Sequence, residues 1–157
     1  MDNPPLAFIF REAQDRDLSA IDALNIHCFA ASGLINKDKI QHALQTHDGH
    51  LLIAENKSGE FAGFLLTLDL EDNGTRYLDV EGLAVEEKYR RSGLGRAFMN
   101  CAEAYARTKE FNGLSLYVRD NNEPAQKLYD DLGYKELSRY PDAYRDGSAA
   151  IHMIKFF

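Results

Sequence analysis

The segment from Leu83 to Ala97 constrains the fold of this 157-residue chain more than any other, because it changes from strand to helix across a basic turn. Leu83–Val85 is the apolar end of a strand, and the turn that follows it contains Gly93 and Gly95. Apolar residues then recur at helical spacing up to Lys109. The first N–H groups of a helix lack partners inside it, and with the helix dipole they attract anions. Glycines let a phosphate approach that backbone. The segment therefore predicts a phosphate or pyrophosphate site at a strand–helix junction.

The rest of the chain alternates between strand and helix patterns in the order β-α-α-β-β-β-α-β-α-β-β. Asp15 and Asp17 are N-cap candidates for the first helix. The last helix has Asn122 as its cap, Pro124 in its first turn and Gly133 just past its end. This order predicts an α/β fold with a mixed sheet.

Length and composition predict one globular domain over residues 1–157. The net charge is −7, which argues against a nucleic-acid partner and suits cationic partners such as amines. No apolar run approaches the ~20 residues of a membrane helix, and Met1–Leu6 lacks the features of a signal peptide. The only cysteines, Cys28 and Cys101, form no C-x-x-C pair, and both are expected to be small buried hydrophobes. We therefore expect a cytoplasmic protein that does not bind membranes.

Two familiar phosphate motifs do not fit the turn. A P-loop requires a Lys followed by Ser or Thr, which the turn lacks, and a dinucleotide fingerprint requires a third glycine where Phe98 stands. The alternative to an anion site is a plain helix N-terminus with solvated arginines. The five histidines show no ligand spacing, so no metal is expected.

Two motifs resemble those of the GNAT superfamily of acetyl-CoA-dependent N-acetyltransferases. Arg90-x-x-Gly93-x-Gly95 after Leu-Ala-Val resembles the pyrophosphate loop of that family. Val118–Tyr129 followed by Leu132-Gly133-Tyr134 resembles its strand-5 to helix-4 signature. The resemblance covers nearly the whole chain and is closest in pattern to the acetyltransferases of ribosomal-protein N-termini, whose last segment also carries tyrosines before the final strand.

The resemblance implies a mixed, mostly antiparallel sheet of six or seven strands with four helices, splayed between strands 4 and 5. Gly82 would mark a bulge at the splay, since an isolated glycine in a strand often does. It also implies acetyl-CoA as cosubstrate and no metal. The implied acetyl-CoA contacts are Leu83, Ala84, Val85, Arg90, Arg91, Ser92, Gly93, Leu94, Gly95, Arg96, Asn122 and Tyr129.

Three side chains are candidates for proton transfer. The resemblance implies that Tyr129 is the general acid for the leaving thiolate, although its helical spacing also suits a core aromatic. Asp79 and Glu81 lie two apart and so project from one strand face. The resemblance implies that one of them takes the proton of the amine through water, and the alternative is an exposed strand face. The ribosomal-protein enzymes carry Glu where this chain has Tyr117, so their base is not carried over.

The implied reaction is direct attack of an amine on acetyl-CoA in a ternary complex. The acceptor is left open among a protein N-terminus, a lysine and a small amine. The alternative is a non-catalytic acyl-CoA-binding sensor or partner module with the same fold. A transferase acting on charged tRNA fits poorly with the net charge of −7. The oligomeric state is left open, with a homodimer as one alternative because dimers are common among relatives.

Overall fold

The computed structural model describes residues 7–30 and 33–157, so the prediction made from Met1–Leu6 lies outside the described residues. Within those ranges, strands and α-helices follow the predicted order. They are β1 (Phe8–Glu12), α1 (Leu18–Phe29), α2 (Lys37–Thr46), β2 (Leu51–Asn56), β3 (Phe61–Asp72), β4 (Thr75–Val85), α3 (Leu94–Thr108), β5 (Gly113–Arg119), α4 (Glu123–Asp131), β6 (Lys135–Tyr140) and β7 (Ala150–Phe156).

The seven strands form one mixed sheet in the order β1-β2-β3-β4-β5-β7-β6. β4 and β5 are parallel, whereas β1/β2, β2/β3, β5/β7 and β6/β7 are antiparallel. The β4–β5 ladder runs from Tyr77–Gly113 to Val80–Leu116, while β4 continues to Val85 and β5 to Arg119. This short ladder fits the predicted splay between strands 4 and 5. The predicted fold class is confirmed.

The chain divides into two compact units. The first comprises residues 7–30, Leu34–Leu66 and Gly82–Met99. Its core joins α1 and α2 to β2 and β3 through fully buried side chains, among them Ile21, Ile40, Ile53 and Phe64. A Cβ on Gly63 would collide with the Ala84 carbonyl oxygen, and a Cβ on Gly82 would collide with Ile35. Gly82 therefore gives room to a packed side chain, and the bulge expected there stays a prediction.

Asp17 occupies the N-cap position of α1, as predicted, but its carboxylate does not act as a cap. Its side chain makes no capping bond to that helix, and instead accepts hydrogen bonds from the Gln14 N–H at 2.7 Å and from the Arg11 guanidinium at 2.8 and 2.9 Å. Arg11 also binds Glu55 on β2. The carboxylate therefore ties the first strand to a short 3-10 turn, Asp15–Asp17, that precedes α1.

The second unit contains Thr67–Glu81 and Asn100–Phe157. Its core includes the fully buried Leu78, Leu114 and Tyr134. Asn122 caps α4, since its side chain accepts from the Ala125 N–H at 3.2 Å. Gly133 follows the helix with a φ of +94°, a left-handed conformation that favours glycine. Both ends of α4 are therefore set by local residues, as predicted.

Two features are absent from residues 7–30 and 33–157. None of the helices there is long and apolar enough to cross a membrane. No three His, Cys, Asp or Glu side chains in residues 7–30 and 33–157 are grouped as metal ligands.

Candidate active site

The basic turn of the first unit presents bare backbone at the start of α3. Arg91 and Gly93 both have positive φ, +62° and +83°, and Gly93 is exposed with no atom within 4 Å of where a Cβ would lie. The first intrahelical bond joins the Ala97 N–H to the Gly93 carbonyl at 3.0 Å. The N–H groups of Leu94, Gly95 and Arg96 thus precede the helical ladder, and groups in this position bind anions.

Arginine side chains surround this turn. Arg90, Arg91 and Arg96 are all exposed. The Arg90 Nε donates to the Val85 carbonyl at 3.2 Å, and its Nη2 lies 3.6 Å from the Cys28 Sγ. Cys28 is partly rather than fully buried, and burial raises the pKa of its thiol. Arg90 thus links the end of β4 to α1 and keeps positive charge beside the turn.

The strand end that precedes the turn is only partly covered. Ala84 is buried, whereas Leu83 and Val85 are half-buried. Ser92 Oγ donates to the Tyr89 carbonyl, which fixes the turn between this strand end and α3. Every predicted acetyl-CoA contact between Leu83 and Arg96 therefore belongs to one local strand–turn–helix element of the first unit.

The other two predicted contacts lie on α4 in the second unit. Asn122 is exposed, and its cap occupies Oδ1 rather than the Nδ2 donor. Tyr129 is 8% exposed, its ring meets that of Tyr134 edge to face at 5.8 Å, and burial raises its pKa to about 12. The Tyr129 hydroxyl therefore keeps its proton at neutral pH.

The two strand-4 carboxylates have different environments. Asp79 is 5% exposed and accepts a 2.7 Å hydrogen bond from Ser115 Oγ, its direct neighbour across the β4–β5 ladder. The interpretation of Asp79 as part of an exposed strand face is therefore wrong. Glu81 is half-buried.

Tyr117 shares a sheet face with both carboxylates, because it lies two residues beyond Ser115 on β5. It is 48% exposed, and its ring lies 6.2 Å from that of Tyr140 on β6. Burial, then the nearby charges of Tyr140, Asp79 and Glu81, raise the pKa of Tyr117. The structure therefore brings an acidic pair and exposed aromatic rings onto one face.

His152 joins this face, although the sequence showed no pattern for it. It lies opposite Tyr117 in the β5–β7 ladder and opposite Ser138 in the β6–β7 ladder. Its imidazole stacks on the Tyr117 ring with a centroid distance of 4.4 Å and an interplanar angle of 8°. Only the register of β7 against β5 reveals this pairing, and single-sequence periodicity carries no register information.

The loop between β6 and β7 is tied to the end of β5 by Arg119. The guanidinium hydrogen-bonds the Asp146 carboxylate and Ser148 Oγ, and it lies 5.6 Å from the Tyr144 ring centre. Hydrogen bonds from Ser148 lower the pKa of Asp146 to about 2. Burial raises the pKa of Tyr144, and Tyr117 adds to this effect. The predicted tyrosine-bearing segment thus lies near the acidic and aromatic face.

A mixed sheet with a parallel β4–β5 pair and a glycine-containing basic turn at a helix start is the architecture that the two sequence motifs implied. The sequence profile of the acetyltransferase (GNAT) family matches residues 14–134. The chain therefore belongs to the GNAT family of acetyltransferases, as its two motifs indicated.

Individual relatives agree with this assignment. The chain is 31% identical over 147 residues to the catalytic subunit NAA10 of the N-terminal acetyltransferase A complex of Arabidopsis thaliana, in an alignment covering 92% of this chain and 76% of that protein. It is 32% identical over 82 residues to the ribosomal protein bS18-alanine N-acetyltransferase of Escherichia coli, covering 52% and 53% of the two chains. Alignments with two further relatives cover 57% and 45% of those proteins. The chain thus matches only about half the length of several curated relatives.

Among solved structures, that of Arabidopsis thaliana Naa50 with the bisubstrate analogue CoA-Ac-MVNAL matches with a TM-score of 0.84. The match covers 96% of this chain and 99% of that one at 19% identity. At this identity the match supports the fold alone.

Proposed function

We propose that the protein is an N-acetyltransferase that moves the acetyl group of acetyl-CoA to a primary amine by direct attack in a ternary complex. The observation that carries this proposal is the turn Arg90–Arg96. It places the exposed Gly93 and three exposed arginines at the start of a 15-residue helix. A pyrophosphate is the ligand that such a turn suits.

Acetyl-CoA supplies the activated acetyl thioester. In this proposal the N–H groups of Leu94, Gly95 and Arg96 and the side chains of the turn hold its pyrophosphate. The backbone of Leu83–Val85 pairs with the pantetheine arm as an added strand would. Asn122 offers its Nδ2 donor to the same arm.

Tyr129 assists the leaving thiolate. A thiol has a pKa of about 8.5, as for cysteine, far below the value of about 12 to which burial raises the pKa of Tyr129. Full proton transfer from the phenol would therefore be unfavourable. We assign Tyr129 the role of hydrogen-bond donor to the developing thiolate, with solvent completing the protonation.

Asp79 and Glu81 serve the acceptor side. Both lie close enough to Tyr117 for their charge to raise its pKa. Two carboxylates among aromatic rings attract an ammonium group, which binds both negative charge and π faces. The sequence predicts one of them as the proton acceptor, and in this proposal both supply the negative charge that attracts the ammonium group.

The acceptor we propose is the amino terminus of a peptide or protein, rather than a lysine or a small metabolite. The names of the Arabidopsis and Escherichia coli relatives specify N-terminal or alanine N-acetylation. The bisubstrate analogue bound to Naa50 likewise carries a peptide. The sensor alternative is less favoured, because these relatives are enzymes and Tyr129 is present.

A thiol-release assay with acetyl-CoA tests this proposal. Peptides with a free amino terminus should release CoA thiol, whereas the same peptides with a blocked terminus and an internal lysine should not. Mass spectrometry should locate the acetyl group on the terminal nitrogen. Binding of acetyl-CoA without thiol release from any amine would instead support the sensor alternative.

Three expectations from the sequence stay predictions. They are one domain over residues 1–157, a homodimer as one alternative for the oligomeric state, and a cytoplasmic location. Sedimentation of the purified protein tests the second.

A further inference from the structure

The proposed reaction needs a group that takes a proton from the acceptor ammonium, and the structure favours a residue that the motifs do not mark. Asp79 is almost fully buried and already accepts from Ser115. Tyr117 holds its proton more tightly than an ordinary tyrosine, since burial and neighbouring negative charge raise its pKa. Neither group is therefore a ready acceptor at neutral pH.

His152 has the properties that these groups lack. Burial lowers the pKa of its imidazole below 6.5, so the ring is neutral at pH 7 and carries a free lone pair. It is half-buried rather than enclosed, and it stacks at 4.4 Å on Tyr117, whose ring is about half exposed. The stack restrains the imidazole orientation without using either ring nitrogen.

The surroundings of His152 leave its neutral state undisturbed. The neighbouring strands place Tyr117 of β5 and Ser138 and Tyr140 of β6 on the same sheet face as His152. The carboxylates of Asp79 and Glu81 are on β4, on the far side of Tyr117. A carboxylate in contact would raise the pKa of an imidazole, and here desolvation outweighs any such effect.

We propose that His152 accepts the proton that the acceptor ammonium loses before it attacks the acetyl thioester. This inference rests on the proposed N-acetyltransferase function and deepens it. Asp79 and Glu81 then attract the cation, and Tyr117 holds the imidazole in place as a positioning residue.

The step balances without an added reactant. The ammonium gives one proton to a ring nitrogen of His152, and the free amine forms a bond to the acetyl carbon. The bond between that carbon and the CoA sulfur breaks, and its electron pair leaves with the thiolate. The thiolate and the imidazolium then exchange one proton with water, which restores the thiol and neutral His152.

The test compares two substitutions at His152 with one at a distant histidine. His152→Phe keeps a flat ring on Tyr117 and removes the nitrogen that would accept the proton. His152→Gln keeps a polar side chain but also removes the imidazole. His42 is exposed on α2, so His42→Gln is the matched control. Each protein is assayed from pH 5 to pH 9 with a peptide that the wild type acetylates, and acetyl-CoA affinity is measured separately.

We expect both His152 variants to lose ~10²–10⁴-fold in kcat/KM at pH 7.5, the range for general base catalysis. The acid limb of the wild-type profile should lie below pH 6.5 and be absent in the variants. Affinity for acetyl-CoA should not change, and His42→Gln should match the wild type. Wild-type kcat/KM and an unchanged acid limb in His152→Phe would overturn the proposal.

A second measurement needs no variant. The ring ¹⁵N shifts of His152 in the wild-type protein should titrate with a midpoint below 6.5, matching the acid limb of kcat/KM. A midpoint above neutral pH overturns the proposal, because an imidazolium cannot accept a proton. If the wild type acetylates no amine at all, the proposed function itself fails. An active enzyme that does not need His152 refutes this inference alone.

Discussion

Ser115 donates a 2.7 Å hydrogen bond from Oγ to the Oδ1 atom of Asp79, and both residues are at least 95% buried. The two side chains come from adjacent parallel strands and are direct neighbours in the ladder. A buried carboxylate is costly unless it is hydrogen-bonded. This bond therefore holds an acidic group inside the sheet next to the proposed acceptor face.

Ser115→Ala should lower the free energy of unfolding by about 1–3 kcal/mol, since it removes a donor from a buried acceptor. Urea denaturation followed by circular dichroism measures the change. Ser19 is exposed on α1, so Ser19→Ala should change stability by less than about 0.5 kcal/mol. Equal stability of Ser115→Ala and wild type would mean that Ser115 contributes nothing to holding Asp79.

Gly93→Asp should abolish measurable acetyl-CoA binding, because it places a side chain and a negative charge on the turn proposed to hold pyrophosphate. Isothermal titration calorimetry checks this result. Gly59 has the same φ of +83° and the same open surroundings in the β2–β3 turn. Gly59→Asp therefore introduces the same backbone strain and should bind acetyl-CoA like the wild type. Loss of affinity in both variants would point to misfolding instead of a lost site.

Tyr129→Phe should reduce kcat by roughly 10²–10³-fold, because it removes the hydroxyl proposed to donate a hydrogen bond to the developing thiolate. The amine KM should stay nearly constant, since the interaction forms only in the transition state. Steady-state kinetics with an acetylated peptide measures both constants.

Tyr134→Phe is the control for that experiment. The Tyr134 hydroxyl is buried and has no hydrogen-bond partner among the described residues, and its ring packs against Tyr129. Its removal should keep kcat and leave stability equal or higher, because an unsatisfied buried hydroxyl costs about 1–3 kcal/mol. A kcat loss in Tyr134→Phe equal to that in Tyr129→Phe would assign the effect to ring packing.

Stability at alkaline pH gives an independent measurement on Tyr129. Its pKa is about 12 in the folded protein and about 10 when unfolded, so the folded state holds more protons between these values. Stability should therefore fall as pH rises above 10, by about 2–3 kcal/mol by pH 12 from this residue. Urea denaturation of Tyr129→Phe should show a correspondingly smaller decline, and identical declines would contradict the raised pKa.

Local patterns were enough to predict most of the fold. The start and end of α4 follow from Asn122, Pro124 and Gly133, which act on neighbouring backbone groups. The turn before α3 was found for the same reason, since its glycines and arginines are contiguous. Asp17 holds the predicted N-cap position, but its carboxylate makes no capping bond because it binds Arg11 on β1 instead.

The candidate site was predicted less completely. The strand spacing predicted that Asp79 and Glu81 share one sheet face. The helical spacing and the family motif predicted a role for Tyr129 on the last helix. The burial of Asp79 and the raised pKa of Tyr129 were not predictable, because both depend on side chains packed from other elements.

Strand and helix periods, caps and the basic turn are local properties, so the order of elements and the position of the basic turn can be predicted from residues adjacent in the chain. Pairings between strands depend instead on their register, which is determined by the packing of side chains on each sheet face and by the geometry of the turns. That is why the contact of Ser115 with Asp79 and the stack of His152 on Tyr117 required the folded sheet. The chemical class of the protein thus came from contiguous residues, and its proposed proton acceptor came from strands that meet only in three dimensions.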